Sequence, residues 1–170
     1  MKIRKSNKED LSAIMSIIGD AQKYLASLKI DQWQDGYPNE EQILLDIANQ
    51  DSYVIYNDKG TIMGTSVCTT KHEYTYDRID GNWQTSHDST YGVIHRIAVK
   101  DEFRKSGLAR FVFGHYEQDL KKKGISSLRV DTHSENMGMQ KLLKSMEYKY
   151  CGIIILNSGA ERLAFEKIIG

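Results

Sequence analysis

The residues best suited to chemistry in this chain form one basic loop, Arg104-Lys105-Ser106-Gly107-Leu108-Ala109. An apolar, β-branched run from Val93 to Val99 precedes the loop, and apolar residues at helical spacing follow it. Backbone N–H groups at the start of a helix bind phosphate, and a glycine lets an anion approach the backbone without meeting a Cβ atom. The side chains of Arg104 and Lys105 add positive charge at the same place. This arrangement predicts a site for a phosphate or pyrophosphate group.

Regular elements on both sides of the loop must position it. Apolar runs rich in β-branched residues predict strands at residues 3–5, 53–56, 62–69, 93–99, 127–132, 150–156 and 162–168. Apolar residues at helical spacing predict four helices: one from a capping box at Ser6 and Glu9 to about residue 28, one after Asn39, one carrying residues 108–120 and one at 136–145. The resulting order, β-α-α-β-β-β-α-β-α-β-β, indicates a mixed α/β sheet in a single domain spanning residues 1–170.

Composition excludes several classes of function. The 23 basic residues balance 23 acidic ones, so no global field favours nucleic acid or an anionic membrane. No apolar stretch approaches the ~20 residues that a membrane span requires. The two cysteines, Cys68 and Cys151, lack the spacing of a metal site, and neither has a context that indicates an activated nucleophile. We therefore expect a cytoplasmic protein with no metal, no nucleic-acid partner and no membrane.

The basic loop resembles the Arg/Gln-x-x-Gly-x-Gly/Ala motif of the GNAT N-acetyltransferase superfamily. The elements around it are similar to that family along the whole chain: a strand before the loop, an amphipathic helix after it, then a strand, a polar turn at Asn136 and another helix. Residues 33–38 resemble a segment of bacterial GNAT proteins whose substrate is undefined. The resemblance implies a GNAT-like fold with a splayed central pair of strands, and acetyl-CoA as cosubstrate.

The resemblance also implies where acetyl-CoA lies. Its pyrophosphate would meet the backbone of residues 104–109, and its pantetheine arm would pair with the backbone of Ile97, Ala98 and Val99. Asn136 would contact the amide region of the arm. Asn136 has a structural alternative as the N-cap of its own helix, and the two roles are compatible.

Proton transfer is where this sequence departs from the family pattern. Many members carry a general-acid tyrosine in the helix after the Asn turn, and the matching position here is Leu143. Three other residues are candidate catalytic groups: His95, Asp131 and His133. Strand alternation places His95 on the same face as Ile97, and a His–Asp pair across adjacent strands would hold the imidazole pKa near working pH.

Each candidate also has a structural interpretation. His95 would be a hydrogen-bonded core histidine, and His133 would serve a loop or cap. Asp131 would form an ion pair with Arg129 or Arg96.

The acceptor is expected to be an amine. The segment 73–88 combines acidic and aromatic residues, and with residues 33–37 and the last hairpin it would suit a small cationic amine through charge and cation–π contact. A protein N-terminus or lysine is the other acceptor class. The structural alternative is a solvated acidic surface with aromatic residues that anchor loops. Family members often dimerise, so a homodimer is among the expected assemblies.

We therefore expect an acetyl-CoA-dependent N-acetyltransferase in which the amine attacks the thioester directly in a ternary complex. The alternative from another class is an acyl-CoA-binding sensor that has lost its chemistry, since Leu143 stands where a tyrosine is usual. A nucleotide-binding domain is a third interpretation, and it predicts that ATP rather than CoA protects the protein from unfolding.

Overall fold

The structure is a computed structural model that describes every residue from 1 to 170. Its helices and strands, in chain order, are β1 (Lys2–Lys5), α1 (Leu11–Ser27), α2 (Glu40–Ala48), β2 (Ser52–Tyr56), β3 (Ile62–Thr69), β4 (Ile79–Gly81), β5 (Tyr91–Val99), α3 (Leu108–Lys122), β6 (Ser127–Thr132), α4 (Met137–Ser145), β7 (Lys149–Ile155) and β8 (Glu161–Ile168). The eight strands form a sheet in the order β1-β2-β3-β5-β6-β8-β7-β4. The sheet is mostly antiparallel, with β5 and β6 parallel. The predicted mixed α/β class and its four helices are confirmed.

One strand, β4, is additional to the predicted order. It pairs antiparallel with β7, and Gly81 faces Gly152 in this ladder. Both glycines have positive φ, and a Cβ atom at either would lie within 2.2 Å of the other strand's backbone. The pairing therefore depends on two glycines that are far apart in the chain. Strand β4 is only three residues long, which is too short for an alternating pattern to predict it from the sequence.

The first of two compact units comprises residues 1–68 and 95–113. Helices α1 and α2 pack over β2 and the end of β5 through one apolar cluster: Ile14, Ile17, Ile18, Ile43, Ile47, Val54 and Ala98. The turn before α1 is a capping box, but it is centred on Asn7 rather than on Ser6. The Asn7 side chain accepts from the Glu9 N–H, and the Asp10 carboxylate accepts from the Asn7 N–H, both at 2.9 Å. The predicted capping residue was therefore wrong by one position.

The second unit comprises residues 69–94 and 114–170. Its strands β6, β8 and β7 pair antiparallel, and Val130 faces Phe165, which in turn faces Tyr150. The register of β7 against β8 shifts between Tyr150 and Gly152. A second apolar cluster, Tyr76, Tyr91, Val93, Ile154 and Ala164, packs on one side of it. None of the helices has the length and hydrophobicity needed to cross a membrane.

Candidate active site

The basic loop leads into the start of α3 through two left-handed residues. Lys105 and Gly107 both have left-handed backbone, with φ of +60° and +83°. The first bond of the α3 ladder runs from the Phe111 N–H to the Gly107 carbonyl at 3.0 Å. The N–H groups of Leu108 and Ala109 precede that ladder, so they have no intrahelical acceptor. A Cβ atom at Gly107 would meet nothing within 4 Å, so the space in front of the loop is open.

A close contact between strands and helix holds the start of α3 in place. Leu108 is 1% exposed. A Cβ atom at Gly64 on β3 would lie 2.9 Å from both the Ala98 carbonyl oxygen and the Leu108 side chain. Glycine at position 64 therefore lets the first turn of α3 pack directly against β3 and β5.

The two cations of the loop differ in their surroundings. The Arg104 guanidinium lies over the Tyr24 ring at 3.6 Å, and it donates to the Asp20 carbonyl on α1. Its Nε also lies 2.5 Å from Asp101 Oδ1, but off the N–H axis, so this contact is an ion pair without an aligned hydrogen bond. Arg104 thus fastens the loop to α1, whereas Lys105 is exposed.

Strand β5 is interrupted at Arg96, which has a φ of +48°. Two nitrogens of its guanidinium donate to the Asp46 carboxylate on α2, each at 2.8 Å, and a third contacts the Tyr37 hydroxyl. The Arg96 and Asp46 side chains are 11% and 6% exposed. Only a regular strand would place His95 on the same face as Ile97, and this left-handed residue stands between the two.

The cofactor-binding backbone that the sequence predicted lies beyond this interruption. Ile97, Ala98 and Val99 complete β5, and the N–H of the next residue, Lys100, donates to the Met63 carbonyl on β3 at 2.9 Å. Like the basic loop, these residues belong to the first unit, as does His95, which is partly buried.

The other predicted site residues belong to the second unit. Asp131 accepts a hydrogen bond from the Tyr76 hydroxyl at 2.7 Å. The predicted ion pairs of Asp131 with Arg129 or Arg96 are wrong, because Arg129 pairs with Glu166 and Arg96 pairs with Asp46.

His133 and Asn136 both act in the turn that leads into α4. His133 Nδ1 accepts from the Glu135 N–H at 3.1 Å, which leaves the proton of the neutral ring on Nε2. Asn136 Oδ1 accepts from the Met139 N–H at 3.1 Å, and this confirms the predicted N-cap role. Leu143, at the position where many GNAT proteins have a tyrosine, is 0% exposed and packs in the core.

Tyr76 is a residue whose hydroxyl sequence reasoning missed. It is 2% exposed, and its ring lies 5.0 Å from that of Trp83. Burial raises the pKa of Tyr76 well above its usual value, and the neighbouring Asp131 carboxylate raises it further. The hydroxyl therefore remains a hydrogen-bond donor to Asp131 at any pH at which the protein would act.

A buried carboxylate, Glu166, ties the segment before β5 to the sheet. Glu166 is 0% exposed. Its carboxylate accepts hydrogen bonds from the Ser127 hydroxyl, from Arg129 Nε at 2.9 Å and from the Thr85 hydroxyl at 2.6 Å. The backbone N–H groups of Gln84 and Thr85 also donate to it. Burial alone would raise the pKa of Glu166, but the hydrogen bonds from Ser127, Thr85 and Arg129 outweigh it and the pKa is lowered. Glu166 is therefore ionised and neutralises Arg129.

An aromatic pocket of about 200 Å³ opens beside this pair. Its walls come from residues 76–91 and from Arg129, and they include the rings of Tyr76, Trp83 and Tyr91. The Arg129 guanidinium lies 4.2 Å from the Trp83 ring and 3.8 Å from the Tyr91 ring. No cluster of His, Cys, Asp or Glu in the chain is arranged to hold a metal ion.

Comparison with known proteins decides the family. The family model of the acetyltransferase (GNAT) family matches residues 20–148. A solved GNAT-family acetyltransferase from Streptococcus agalactiae 2603 is 35% identical, with a TM-score of 0.87, over 98% of this chain and 94% of that one. The chain belongs to the GNAT acetyltransferase family. Members of this family use acetyl-CoA as cosubstrate and acetylate amines.

Two more distant GNAT-fold neighbours share the architecture. An acetyltransferase of the GNAT family from Listeria monocytogenes 4b F2365 is 16% identical with a TM-score of 0.76, over 98% of this chain and 94% of that one. A ribosomal-protein-alanine N-acetyltransferase from Brucella melitensis is 16% identical with a TM-score of 0.70, and the match covers 99% of both chains. No curated protein matches this chain. At this identity the two neighbours support the fold alone.

Proposed function

We propose that this GNAT protein transfers an acetyl group from acetyl-CoA to a primary amine, which attacks the thioester directly in a ternary complex. The observation that carries the proposal is the loop of residues 104–109. Lys105 and Gly107 are left-handed, the N–H groups of Leu108 and Ala109 precede the α3 ladder, and a Cβ atom at Gly107 would meet nothing within 4 Å. The helix dipole adds about half a positive charge at the same point, where the pyrophosphate carries about two negative charges.

The proposal assigns the acetyl-CoA arm to the strand that leads into this loop. Backbone groups of Ile97, Ala98 and Val99 would pair with the pantetheine amides, in the manner of an added strand. The left-handed Arg96 breaks the regular ladder immediately before them, and its buried ion pair with Asp46 holds that break in place.

Direct attack by the amine is supported by the state of the two thiols. Cys68 and Cys151 are both buried, and neither takes part in a disulfide bond. Burial raises the pKa of Cys151, so its thiol stays protonated near neutral pH. An acetyl-enzyme intermediate needs an accessible thiolate, and neither cysteine offers one.

The acceptor must lose a proton before it can attack. An alkylamine with a pKa near 10.4 is neutral in only about one molecule in two thousand at pH 7, a handicap of about 4–5 kcal/mol. We assign the general base to His95, which lies on β5 in the same unit as the backbone of Ile97, Ala98 and Val99.

A thiol-release assay tests this function. With acetyl-CoA and a panel of small amines and peptides, the wild-type protein is expected to release CoA only when an acceptor is present. Peptides belong in the panel because one GNAT-fold neighbour is named a ribosomal-protein-alanine N-acetyltransferase. His95→Gln is expected to lower kcat and to remove the acid limb of the pH–rate profile. Tight binding of acetyl-CoA without release of thiol with any acceptor would instead identify an acyl-CoA sensor.

A further inference from the structure

The two ends of the basic loop, residues 104–109, are fixed to different neighbours. At the later end, Leu108 is 1% exposed and packs closely against β3. At the earlier end, Arg104 contacts α1. We propose that Tyr24 on α1 is a positioning residue for acetyl-CoA: it holds Arg104, and through Arg104 it holds the loop in the conformation that receives the pyrophosphate. The inference rests on the proposed function.

The Arg104 guanidinium is occupied by contacts within the protein. It lies 3.6 Å from the centroid of the Tyr24 ring, so the ring covers one of its faces. Nη2 donates to the carbonyl oxygen of Asp20, about one turn earlier on α1, at 3.3 Å. Nε lies 2.5 Å from Asp101 Oδ1. Arg104 therefore joins the loop to α1, and Asp101 partly balances its charge before any phosphate arrives.

The loop needs such a support because its backbone is strained next to Arg104. Lys105, the following residue, has a φ of +60°. Residues other than glycine rarely adopt this left-handed conformation, and it persists only where the surrounding structure fixes it. Lys105 is exposed, so burial of its own side chain does not fix it. The contact of the adjacent Arg104 with α1 supplies the constraint.

The contact between Arg104 and Tyr24 depends on shape as well as on charge. A guanidinium is planar and stacks on an aromatic face, whereas the ammonium group of a lysine is a compact point charge. Tyr24 is 45% exposed and the Arg104 side chain is 22% exposed, so neither belongs to the core. Substitutions at these two positions are therefore expected to change the loop rather than the fold.

Calorimetric titration with acetyl-CoA tests the proposal on variants that keep the net charge. Tyr24→Leu and Arg104→Lys both remove the stacked pair, so each is expected to weaken acetyl-CoA binding about tenfold. Tyr24→Phe keeps the ring face and should bind within about twofold of wild type. The double variant of Tyr24→Leu and Arg104→Lys should bind no more than about twofold more weakly than either single variant, because the two residues act through one contact.

Leu28→Ala is the matched control on the same helix. Leu28 follows the last residue of α1 and is 51% exposed, and it lies one turn beyond Tyr24. Its truncation should change acetyl-CoA affinity less than about twofold, as a surface substitution does. In the transfer assay, Tyr24→Leu is expected to raise the KM for acetyl-CoA about tenfold while kcat at saturation is retained.

The protein without cofactor gives a readout that separates positioning from direct contact with phosphate. NMR relaxation of the backbone amides of Lys105 and Ser106 should show a rigid loop in wild type and in Tyr24→Phe, and lower order parameters in Tyr24→Leu and Arg104→Lys. Order parameters that are the same in all four proteins would overturn the positioning role, because Tyr24 would then not order the loop.

Three binding results would also overturn the positioning role while the proposed function stands. They are wild-type affinity in Tyr24→Leu, losses that add in the double variant, and an equal loss in Leu28→Ala. Wild-type protein that binds no acetyl-CoA would instead overturn the proposed function, and the positioning role with it.

Discussion

The hydroxyl of Tyr76 donates to Asp131 Oδ1 across 2.7 Å, although 55 residues separate the two in the chain. This bond connects the segment before β4 to β6 and fixes the orientation of a carboxylate that the sequence marks as a candidate catalytic group. Because the Tyr76 hydroxyl keeps its proton, the bond persists across the neutral range.

Replacing Tyr76 by Phe is expected to lower the free energy of unfolding by about 1–3 kcal/mol, because Asp131 loses its donor. Burial, and secondly Asp131, raise the pKa of Tyr76. An unfolded tyrosine ionises near pH 10, so the stability from the neutral hydroxyl is present below about pH 10 and is lost as the pH rises further. Urea unfolding at pH 7 and pH 10.5 should show a steeper alkaline loss for wild type than for Tyr76→Phe.

Tyr74→Phe is the matched control for that experiment, because Tyr74 is 79% exposed and lies only two residues away. It should leave both the stability at pH 7 and the alkaline slope unchanged. An alkaline slope that is identical in wild type and Tyr76→Phe would contradict the assigned role of the hydroxyl.

The ion pair of Arg96 and Asp46 supports the interruption in β5. Asp46→Asn is expected to cost about 3 kcal/mol of stability, because it leaves a nearly buried guanidinium without its counter-charge. Glu41→Gln removes an exposed charge from the same helix and should cost less than about 0.5 kcal/mol. Chemical denaturation measures both. We also expect Asp46→Asn to weaken acetyl-CoA binding, and unaltered affinity would show that the interruption does not depend on this pair.

Glu166→Gln tests the buried network of the second unit. Hydrogen bonds from Ser127, Thr85 and Arg129 lower the pKa of Glu166 against the opposing effect of burial. The stability it provides is therefore present above the usual glutamate pKa of about 4.3 and is lost as the pH falls through the lower folded value. We expect Glu166→Gln to cost about 3 kcal/mol at pH 7 and to flatten the acid branch of the stability curve. Glu161→Gln, on the exposed end of the same strand, should reproduce the wild-type curve at every pH.

The sequence predicted the basic loop because every signal for it is local. Gly107, the flanking cations and the switch from strand to helix lie within about fifteen residues. The N-cap role of Asn136 was predictable for the same reason. The cap before α1 was predicted at Ser6, but it lies at the neighbouring Asn7. Both residue types are good N-caps, and only the backbone geometry distinguishes them.

The contacts that the sequence did not predict are all long-range. Glu166 reaches Arg129 across 37 positions and Gln84 across 82, and no spacing rule connects such residues. The predicted partners of Asp131 were wrong for the same reason, since its actual partner Tyr76 lies between the predicted strands 62–69 and 93–99, 55 positions away. The left-handed Arg96 was also missed, because this conformation is held by an ion pair with Asp46, which lies 50 positions away in the chain.

Calorimetric titration of acetyl-CoA is the most direct measurement of the central claim, which is that the backbone of residues 105–109 binds the cofactor's pyrophosphate. Gly107→Val places a β-branched residue at a φ of +83° without creating a clash, so it disturbs the loop conformation by about 1–2 kcal/mol. Gly114→Ala, within α3 and with open space around it, is the matched control. Wild type and Gly114→Ala should bind acetyl-CoA alike, and Gly107→Val should bind about tenfold more weakly or worse. Wild-type protein with no affinity for acetyl-CoA, or Gly107→Val with unchanged affinity, would contradict the account.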